Sequence, residues 1–516
     1  MKRREFVRSV GWASLAGPLG RYRSLLEKTP SPPPPNIVFI MADDHASQAV
    51  GCYGGRLNRT PHIDRIAREG ARFDRCFCTN GICAPSRAAI LTGRYGHLNG
   101  VRDNARVFDG SQATFPKLLQ AAGYETALLG KWHLESDPTG FDHWCILPGQ
   151  GDYYNPDLIE MGAKTRRPGY VTDILTDLAI DFIEARRNSS RPFLLMLHHK
   201  APHRNWQPAV RHMALYDDAE IPEPPTLFDD YATRSRAAAE QEMTIRDHMT
   251  LESDLKLGPP PERLDADQKK AWEAAYGPKR EAFRKAGLSG DALVRWKYRR
   301  YLQDYLGCVA AVDESVGRVL DGLDRTGLAP RTLVIYTSDQ GFFLGEHGWF
   351  DKRFMYEEAL RMPLVMRLPG RIPAGSVRDE MLTNVDLAPT CLDAAGIKRP
   401  AAMQGMSFLP LAEARPVPGW PKSIFYHYCE YPAVHMVKRH YGVRTERYKL
   451  IRFYYDIDAW ELYDLERDPR ELRNVYADPA YAGVRRDLTS ELLRLQKLYG
   501  DSEELALRFV KADLKK

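Results

Sequence analysis

An excess of charge of one sign is nearly absent: over 516 residues, 73 Lys and Arg stand against 68 Asp and Glu, leaving +5. Such an excess is too small over this length to imply a nucleic-acid or membrane partner, so any anionic ligand must be held by a local cluster. No stretch approaches the run of about 18 apolar residues that a membrane span needs, and no integral membrane segment is expected. There is no internal repeat. The eight cysteines (Cys52, Cys76, Cys78, Cys83, Cys145, Cys308, Cys391 and Cys429) include no C-x-x-C spacing, which argues against a structural zinc site. A chain of this length does not need disulfide staples, so mostly free, buried thiols are expected. What is present is ordinary globular composition, 44% hydrophobic and 27% charged. At about 150 residues per domain it allows roughly two to four domains.

The first residues do not read as fold. Lys2-Arg3-Arg4-Glu5-Phe6-Val7-Arg8, followed by a weakly apolar run from Val10 to Leu19, resembles a bacterial twin-arginine export signal. The expected location is therefore the periplasm, and a plain basic tail is the other reading. Pro30 to Pro35 reads as a stiff spacer. Residues 1–35 are set aside on this basis.

Several short apolar runs look like buried strands, and each ends in chemically useful residues. Asn36 to Met41 leads into Asp43-Asp44-His45, and Tyr124 to Leu129 into Gly130-Lys131-Trp132-His133. Pro192 to Leu197 leads into Lys200-Ala201-Pro202-His203, and Leu333 to Ser338 into Asp339-Gln340-Gly341. Helical segments lie between them: Pro116 to Ala122, Val171 to Arg187 and Ala292 to Arg325. In the last, Val309, Val312, Val316, Val319, Leu320 and Leu323 recur at helical spacing. Alternating strands and helices predict an α/β sheet with ligands beyond the carboxyl ends of its strands. The main domain is expected over 36–410. Residues 217–290, Pro-rich at both ends and helical in the middle, are expected to form an excursion over the surface near the site mouth, with a mere spacer as the other reading. Over 411–516 a smaller α+β subdomain is expected, with an antiparallel sheet from Ser423 to Tyr428, Tyr441 to Arg452 and Ala459 to Asp464, and a closing helix from Val484 to Leu498.

Asp43 and Asp44 at one strand end, with Asp339 and Gln340 at another, make an all-oxygen donor set of the kind Ca²⁺ or Mg²⁺ takes. Capping or turn aspartates are the plainer alternative. Pro85 suits the first turn of a helix, which puts Cys83 at a helix N-terminus. There a thiol's pKa falls, so an unmodified nucleophilic cysteine must be weighed beside a buried structural one.

Cys83-Ala84-Pro85-Ser86-Arg87, extended through Thr92-Gly93-Arg94, resembles the signature of the formylglycine-dependent sulfatases, relatives of alkaline phosphatase. The resemblance also covers Asp43-Asp44, Gly130 to His133, Lys200 to His203, Ser338 to Gly341 and Phe350-Asp351-Lys352. It implies a large, mainly parallel mixed sheet sandwiched by helices, with a smaller C-terminal domain. It implies conversion of Cys83 to formylglycine by a maturation enzyme, and Asp43, Asp44, Asp339, Gln340 and modified Cys83 as ligands of Ca²⁺, with Mg²⁺ the alternative. Arg87 would position residue 83, and Lys131 and Lys352 would hold sulfate oxygens. His203 would protonate the leaving alcohol, and His133 would take a proton from the remaining hydroxyl of the hydrate, so that the sulfated intermediate collapses to aldehyde and sulfate. Gln340 departs from the Asn that many members carry, and Glu135 from a Gly.

Arg204, Asn205 and Trp206 follow His203 directly, and a Trp beside polar groups suits a sugar ring. His435, Lys438 and His440 lie in a basic, aromatic segment that could fold over the mouth and read a sulfated glycan, a solvated basic loop being the other reading. Similarity to glycan-desulfating members favours a carbohydrate sulfate such as glucosamine-6-sulfate. The rival readings are a phosphoester or phosphonate hydrolase on the same fold, or a glycan-binding protein with Cys83 unmodified.

Overall fold

The computed structural model describes residues 34–55 and 57–514. The expected export signal lies outside them, as does most of the proline-rich spacer.

The apolar runs form strands at Asn36–Ala42, Glu125–Lys131, Phe193–His198 and Thr332–Ser338, buried at almost every position. Strand side chains alternate between faces, so unbroken burial means that both faces of the sheet are covered. With His143–Leu147 these strands make the parallel centre of a ten-stranded sheet, in the order Thr332–Ser338, Asn36–Ala42, Phe193–His198, Glu125–Lys131, His143–Leu147. Antiparallel pairs flank the centre on either side, so the sheet is mixed. Phe39, Leu128, Met196 and Ile335 enter one core, and Val38, Leu129, Leu195 and Val334 the other. Helices Val171–Glu184 and Gly290–Arg325 cover the second face, and the six apolar residues read at helical spacing in the latter are all buried. Cys83–Thr92 is a helix buried along its whole length on the first face. Parallel pairing of Met41 with His198, Ala42 with Ser338 and Gly130 with His198 brings the expected strand ends to one edge.

Three expectations are corrected. The segment 217–290 is not helical in its middle: a short helix, Ala237–Glu240, is followed by turns, and the long helix Ala266–Ala286 comes only at the end. Its buried apolar residues Met243, Ile245, Met249 and Leu255 follow no helical spacing, so burial there stabilises an irregular path. The strand expected over 441–452 is a hairpin, His440–Thr445 and Tyr448–Phe453, turning at Glu446-Arg447. The closing helix, Ala482–Tyr499, is followed by another, Glu503–Asp513, because Gly500 at φ 72° ends the first and Ser502 caps the second.

Between those helices Asp501 ties the chain end to the small sheet. Its carboxylate lies 2.6 Å from Nδ1 of buried His427, whose Nε2 meets Tyr454 Oη at 2.9 Å. Burial opposes a charge on His427, but Cys429, Tyr454 and the Asp501 carboxylate outweigh it and hold the imidazole well above its ordinary value. Burial likewise opposes the Asp501 charge, and His427 holds it below the carboxylate range. The raised group stabilises fully below about pH 6.5 and loses its contribution as pH rises through its folded value; the depressed one stabilises fully above about pH 4 and loses it as pH falls. Asp501→Asn should therefore cost about 3 kcal/mol at pH 6 and much less at high pH. Urea unfolding of both proteins at pH 6 and pH 9 measures the difference.

Candidate active site

The strand-end edge collects almost every residue of the expected set. Asp43, Asp44 and Asp339 are fully buried, and one oxygen of each lies within 4.8 Å of the others; Asp43, Cys83 and His203 form a second group on the same criterion. Asp44 adopts φ 66°, and its amide donates to Asp339 Oδ1 at 3.2 Å. Cys83 opens its helix, and its Sγ donates to Asp43 Oδ1 at 3.3 Å. Arg87, one turn on, donates through Nε to Asp339 Oδ2 at 3.0 Å and through Nη1 to the Lys131 carbonyl at 2.7 Å.

Two lysines close on the carboxylates. Lys131 Nζ contacts Asp43, and Lys352 Nζ lies 2.6 and 2.7 Å from the two oxygens of Asp44. Gly130 makes the approach of Lys131 workable: it sits at φ 107°, and a Cβ there would fall 1.9 Å from the His198 carbonyl oxygen. His203 places Nε2 3.8 Å from Asp44 Oδ2 while Nδ1 donates to the Arg204 carbonyl at 2.7 Å. His133 stands at φ 54° with Nε2 accepting from Gln150.

The electrostatics are those of a crowded anionic pocket. Burial opposes a charge on Asp43, yet Lys131, His203 and Arg87 hold it well below the carboxylate range. Burial, only partly offset by Lys352 for Asp44, and repulsion between the carboxylates push Asp44 up to about 7; burial and the Asp43 charge push Asp339 to about 6. Burial and the same Asp43 charge raise the Cys83 thiol far above its ordinary value, so the helix N-terminus does not make it a thiolate. Burial and Lys131 push His133 down to about 2, which leaves its imidazole neutral.

A divalent cation fits this donor set. Three crowded carboxylates, two of them raised by burial and mutual repulsion, would be relieved by one. Gln340 adds an amide whose Nε2 contacts Asp44 and whose buried Oε1 has no hydrogen-bond partner. An orphaned carbonyl oxygen beside three carboxylates is a hard-ion donor.

Not every expected residue belongs here. Trp206 is fully buried against Tyr301, Phe342 and Phe350, so it offers no face to a sugar. His440 is equally enclosed: its ring packs on Phe354, Tyr426 and Phe453, its Nδ1 donates to the Lys438 carbonyl at 2.8 Å, and its Nε2 accepts from the Met355 amide. Both are core residues because their backbone turns inward, which neighbours in sequence do not reveal. Arg204 and Asn205 both bind Asp254 of the 217–290 segment, at 2.6–2.8 Å. His435 approaches the site through Asp351, 3.3 Å from its Nε2, whereas Lys438 binds Tyr431 Oη at 2.6 Å and Glu240 at 3.2 Å.

Other residues of the site were not anticipated. Gln150 accepts from Lys131 Nζ at 2.5 Å, donates to His133 Nε2 at 3.1 Å, and through its carbonyl accepts from Lys200 Nζ at 3.1 Å. Its only signal in the sequence is a polar side chain between Gly149 and Gly151 just past a strand end. Arg353, at φ 91°, pairs with Asp351 and Glu430, and Asn104 Oδ1 accepts from the Ala84 amide. Gln150→Leu is expected to lower kcat about 100-fold with a smaller change in KM, since it loosens three groups that must stay in register. Steady-state kinetics of the two proteins measures it.

A mixed, largely parallel sheet with an oxygen-rich cation site and a helix N-terminus at its carboxyl edge defines a hydrolase of alkaline-phosphatase-like architecture. The sulfatase family model matches residues 35–397, and a model described as N-sulphoglucosamine sulphohydrolase, C-terminal, matches 345–498. The chain belongs to the sulfatase family and is a sulfuric ester hydrolase. It is 51% identical to the N-acetylglucosamine-6-O-sulfatase of Bacteroides thetaiotaomicron over 488 residues, 91% of this chain and 87% of that protein. A solved structure of a protein in complex with its substrate D-glucosamine-2-N,6-O-disulfate superposes with a TM-score of 0.89 at 51% identity, covering 90% of this chain and 98% of the other. A phosphonate monoester hydrolase from Silicibacter pomeroyi shares the fold at 22% identity and TM-score 0.70, over 90% of this chain and 95% of its own.

Proposed function

We propose that this sulfatase removes a sulfate ester from a sulfated carbohydrate, the 6-O-sulfate of a glucosamine residue. The observation that carries the reading is likeness at 51% identity over nine-tenths of the chain to a protein named for that substrate. The raised Cys83 thiol supports conversion to formylglycine, because an unmodified cysteine held there as a neutral thiol is a poor nucleophile. Asp43, Asp44, Asp339 and Gln340 would hold the cation. Calcium, which tolerates irregular sets of six to eight oxygen ligands, suits the long Gln340 arm better than magnesium.

Formylglycine at residue 83 would supply, as its hydrate, an oxygen nucleophile, and a cation held by Asp43, Asp44, Asp339 and Gln340 would supply polarisation of the sulfate. The protein's own side chains do the rest. Lys131 and Lys352 draw the sulfate oxygens and stabilise the charge that grows on them. Arg87, clamped on Asp339, fixes the helix turn that carries residue 83. His203 delivers a proton from Nε2 to the leaving alcohol. Burial and Lys131 depress the His203 pKa in the free protein, and an anionic substrate facing Lys131 reverses the second of these effects. Neutral His133 would take the proton of the remaining hydroxyl at residue 83 as the sulfate is released.

Mass spectrometry of the tryptic peptide Cys76 to Arg87, with kinetics on glucosamine-6-sulfate and its phosphate analogue, tests the reading. A carbonyl-reactive peptide and a preference for the sulfate ester are expected. An unmodified thiol with no desulfation leaves a glycan-binding protein, and a preference for the phosphate leaves a phosphoester hydrolase.

We also propose export to the periplasm through the Lys2 to Arg8 cluster. No helix among the described residues is long and apolar enough to cross a membrane. Replacing Arg3 and Arg4 by Lys should retain the protein in the cytoplasm.

A further inference from the structure

The large sheet places Glu125–Lys131 between Phe193–His198 and His143–Leu147, with all of these strands parallel. Lys131 ends the middle strand, and His133 follows it. The chain leaves the two outer strands on either side of that end, as residues 199–203 and 148–153, and these two segments are tied to each other. Lys200 Nζ donates to the Gln150 carbonyl at 3.1 Å and lies 4.9 Å from the centroid of the Tyr153 ring. In the opposite direction, Tyr153 Oη donates to the His203 carbonyl at 2.5 Å. Tyr153 is only 2% exposed and Lys200 4%, so the link runs inside the protein.

Each of these bonds ends on a residue that holds the reacting groups. The side chain of Gln150 meets Lys131 Nζ and His133 Nε2, so the place of its backbone bears on both. The ring of His203 is fixed by Nδ1 to the carbonyl of its own neighbour Arg204 at 2.7 Å, and the loop that carries it is fixed by Tyr153. Burial pushes the Tyr153 hydroxyl well above its ordinary pKa, so it stays a donor. Lys200 is harder to explain as packing. Burial and the Lys131 charge push its ammonium down to about 8, and an apolar side chain would fill the space without that cost.

We propose that Tyr153 and Lys200 are positioning residues for desulfation: Tyr153 sets His203 against the leaving oxygen, and Lys200, through Gln150, sets Lys131 against the sulfate. The inference rests on the roles given to His203 and Lys131 above. When the bond between sulfur and the leaving oxygen breaks, its electron pair stays on that oxygen, which takes the proton from His203 Nε2. A sugar alcohol needs that proton because an alkoxide leaves poorly, whereas a nitrophenol leaves as its anion with little help. Displacing His203 therefore harms the two kinds of ester unequally, and displacing Lys131 harms them alike.

The test compares kcat/KM for glucosamine-6-sulfate and 4-nitrophenyl sulfate in the wild type, Tyr153→Phe, Lys200→Met and His203→Ala. Tyr153→Phe keeps the ring beside Lys200 and should lose about 30-fold on the sugar ester but about threefold on the aryl ester. Lys200→Met should lose about 30-fold on both while melting no lower than the wild type, a combination that a merely structural lysine would not give. The solvent deuterium isotope effect on kcat for the sugar ester reads the proton transfer without an aryl substrate; it should grow in Tyr153→Phe and not in Lys200→Met. Equal losses on both esters with an unchanged isotope effect in Tyr153→Phe, or a Lys200→Met variant within threefold of the wild type, overturns the proposal. His203→Ala separates this from failure of the functional reading. A loss there that falls mainly on the sugar ester, beside an unselective Tyr153→Phe, overturns the positioning alone. Equal losses on the two esters in His203→Ala remove the acid and the proposal with it.

Discussion

Replacing Cys83 by Ala should lower kcat/KM on a sulfated sugar by about 10⁵-fold or more, the scale seen when an enzyme's nucleophile is removed. The fold should survive, because the thiol makes only a 3.3 Å contact to Asp43 and a long 4.0 Å one from Gln340 Nε2, and the helix that carries it keeps its other contacts. Removing one buried sulfur should cost about 1 kcal/mol in stability. The comparison with protein made without maturation is sharper still. There Cys83 remains a thiol whose pKa burial and Asp43 push up, so iodoacetamide should label it slowly, and turnover should match that of Cys83→Ala. A variant within tenfold of the wild type would place the nucleophile elsewhere.

The strand-end edge that holds the candidate site was legible because its elements announce themselves locally. Four apolar runs of strand length end in Asp, Lys, His and Asp, and parallel pairing then has little freedom but to bring those ends together. Pro85 and the run that follows it fix a helix start at Cys83 in the same local way. Residues whose place depends on tertiary packing were not legible. Trp206 stands between polar neighbours in sequence, but its ring is taken into a cluster built from Tyr301, Phe342 and Phe350, all distant in sequence. His440 reads as part of a basic segment with Lys438 and Arg439, yet the register of its strand turns it into the core. Gln150 shows the converse. A lone Gln between glycines carries no chemical signature, and only its reach to Lys131 and His133 gives it weight. The irregular path of 217–264 was missed for a related reason: its buried residues answer to a surface already formed, so no period appears in their spacing.

Removal of divalent cation by a chelator should reduce activity about 1,000-fold and lower thermal stability, with calcium restoring both. The two losses share one origin. Asp43, Asp44 and Asp339 are buried within 4.8 Å of one another, and in the protein alone Asp44 and Asp339 are pushed to about 7 and 6. An ion that binds only the folded chain relieves this crowding and stabilises it by about 4 kcal/mol when calcium is a thousandfold above its Kd. Asp339→Asn separates that effect from simple loss of a salt bridge. The variant removes one carboxylate from the cation site and one partner from Arg87, so its activity should fall as far as in the chelated wild type. Its stability, however, should no longer respond to calcium at concentrations that saturate the wild type. Differential scanning fluorimetry across a calcium titration reads this directly. If Asp339→Asn is stabilised by calcium as strongly as the wild type, the cation sits elsewhere, and the three carboxylates serve only to balance Arg87, Lys131 and Lys352.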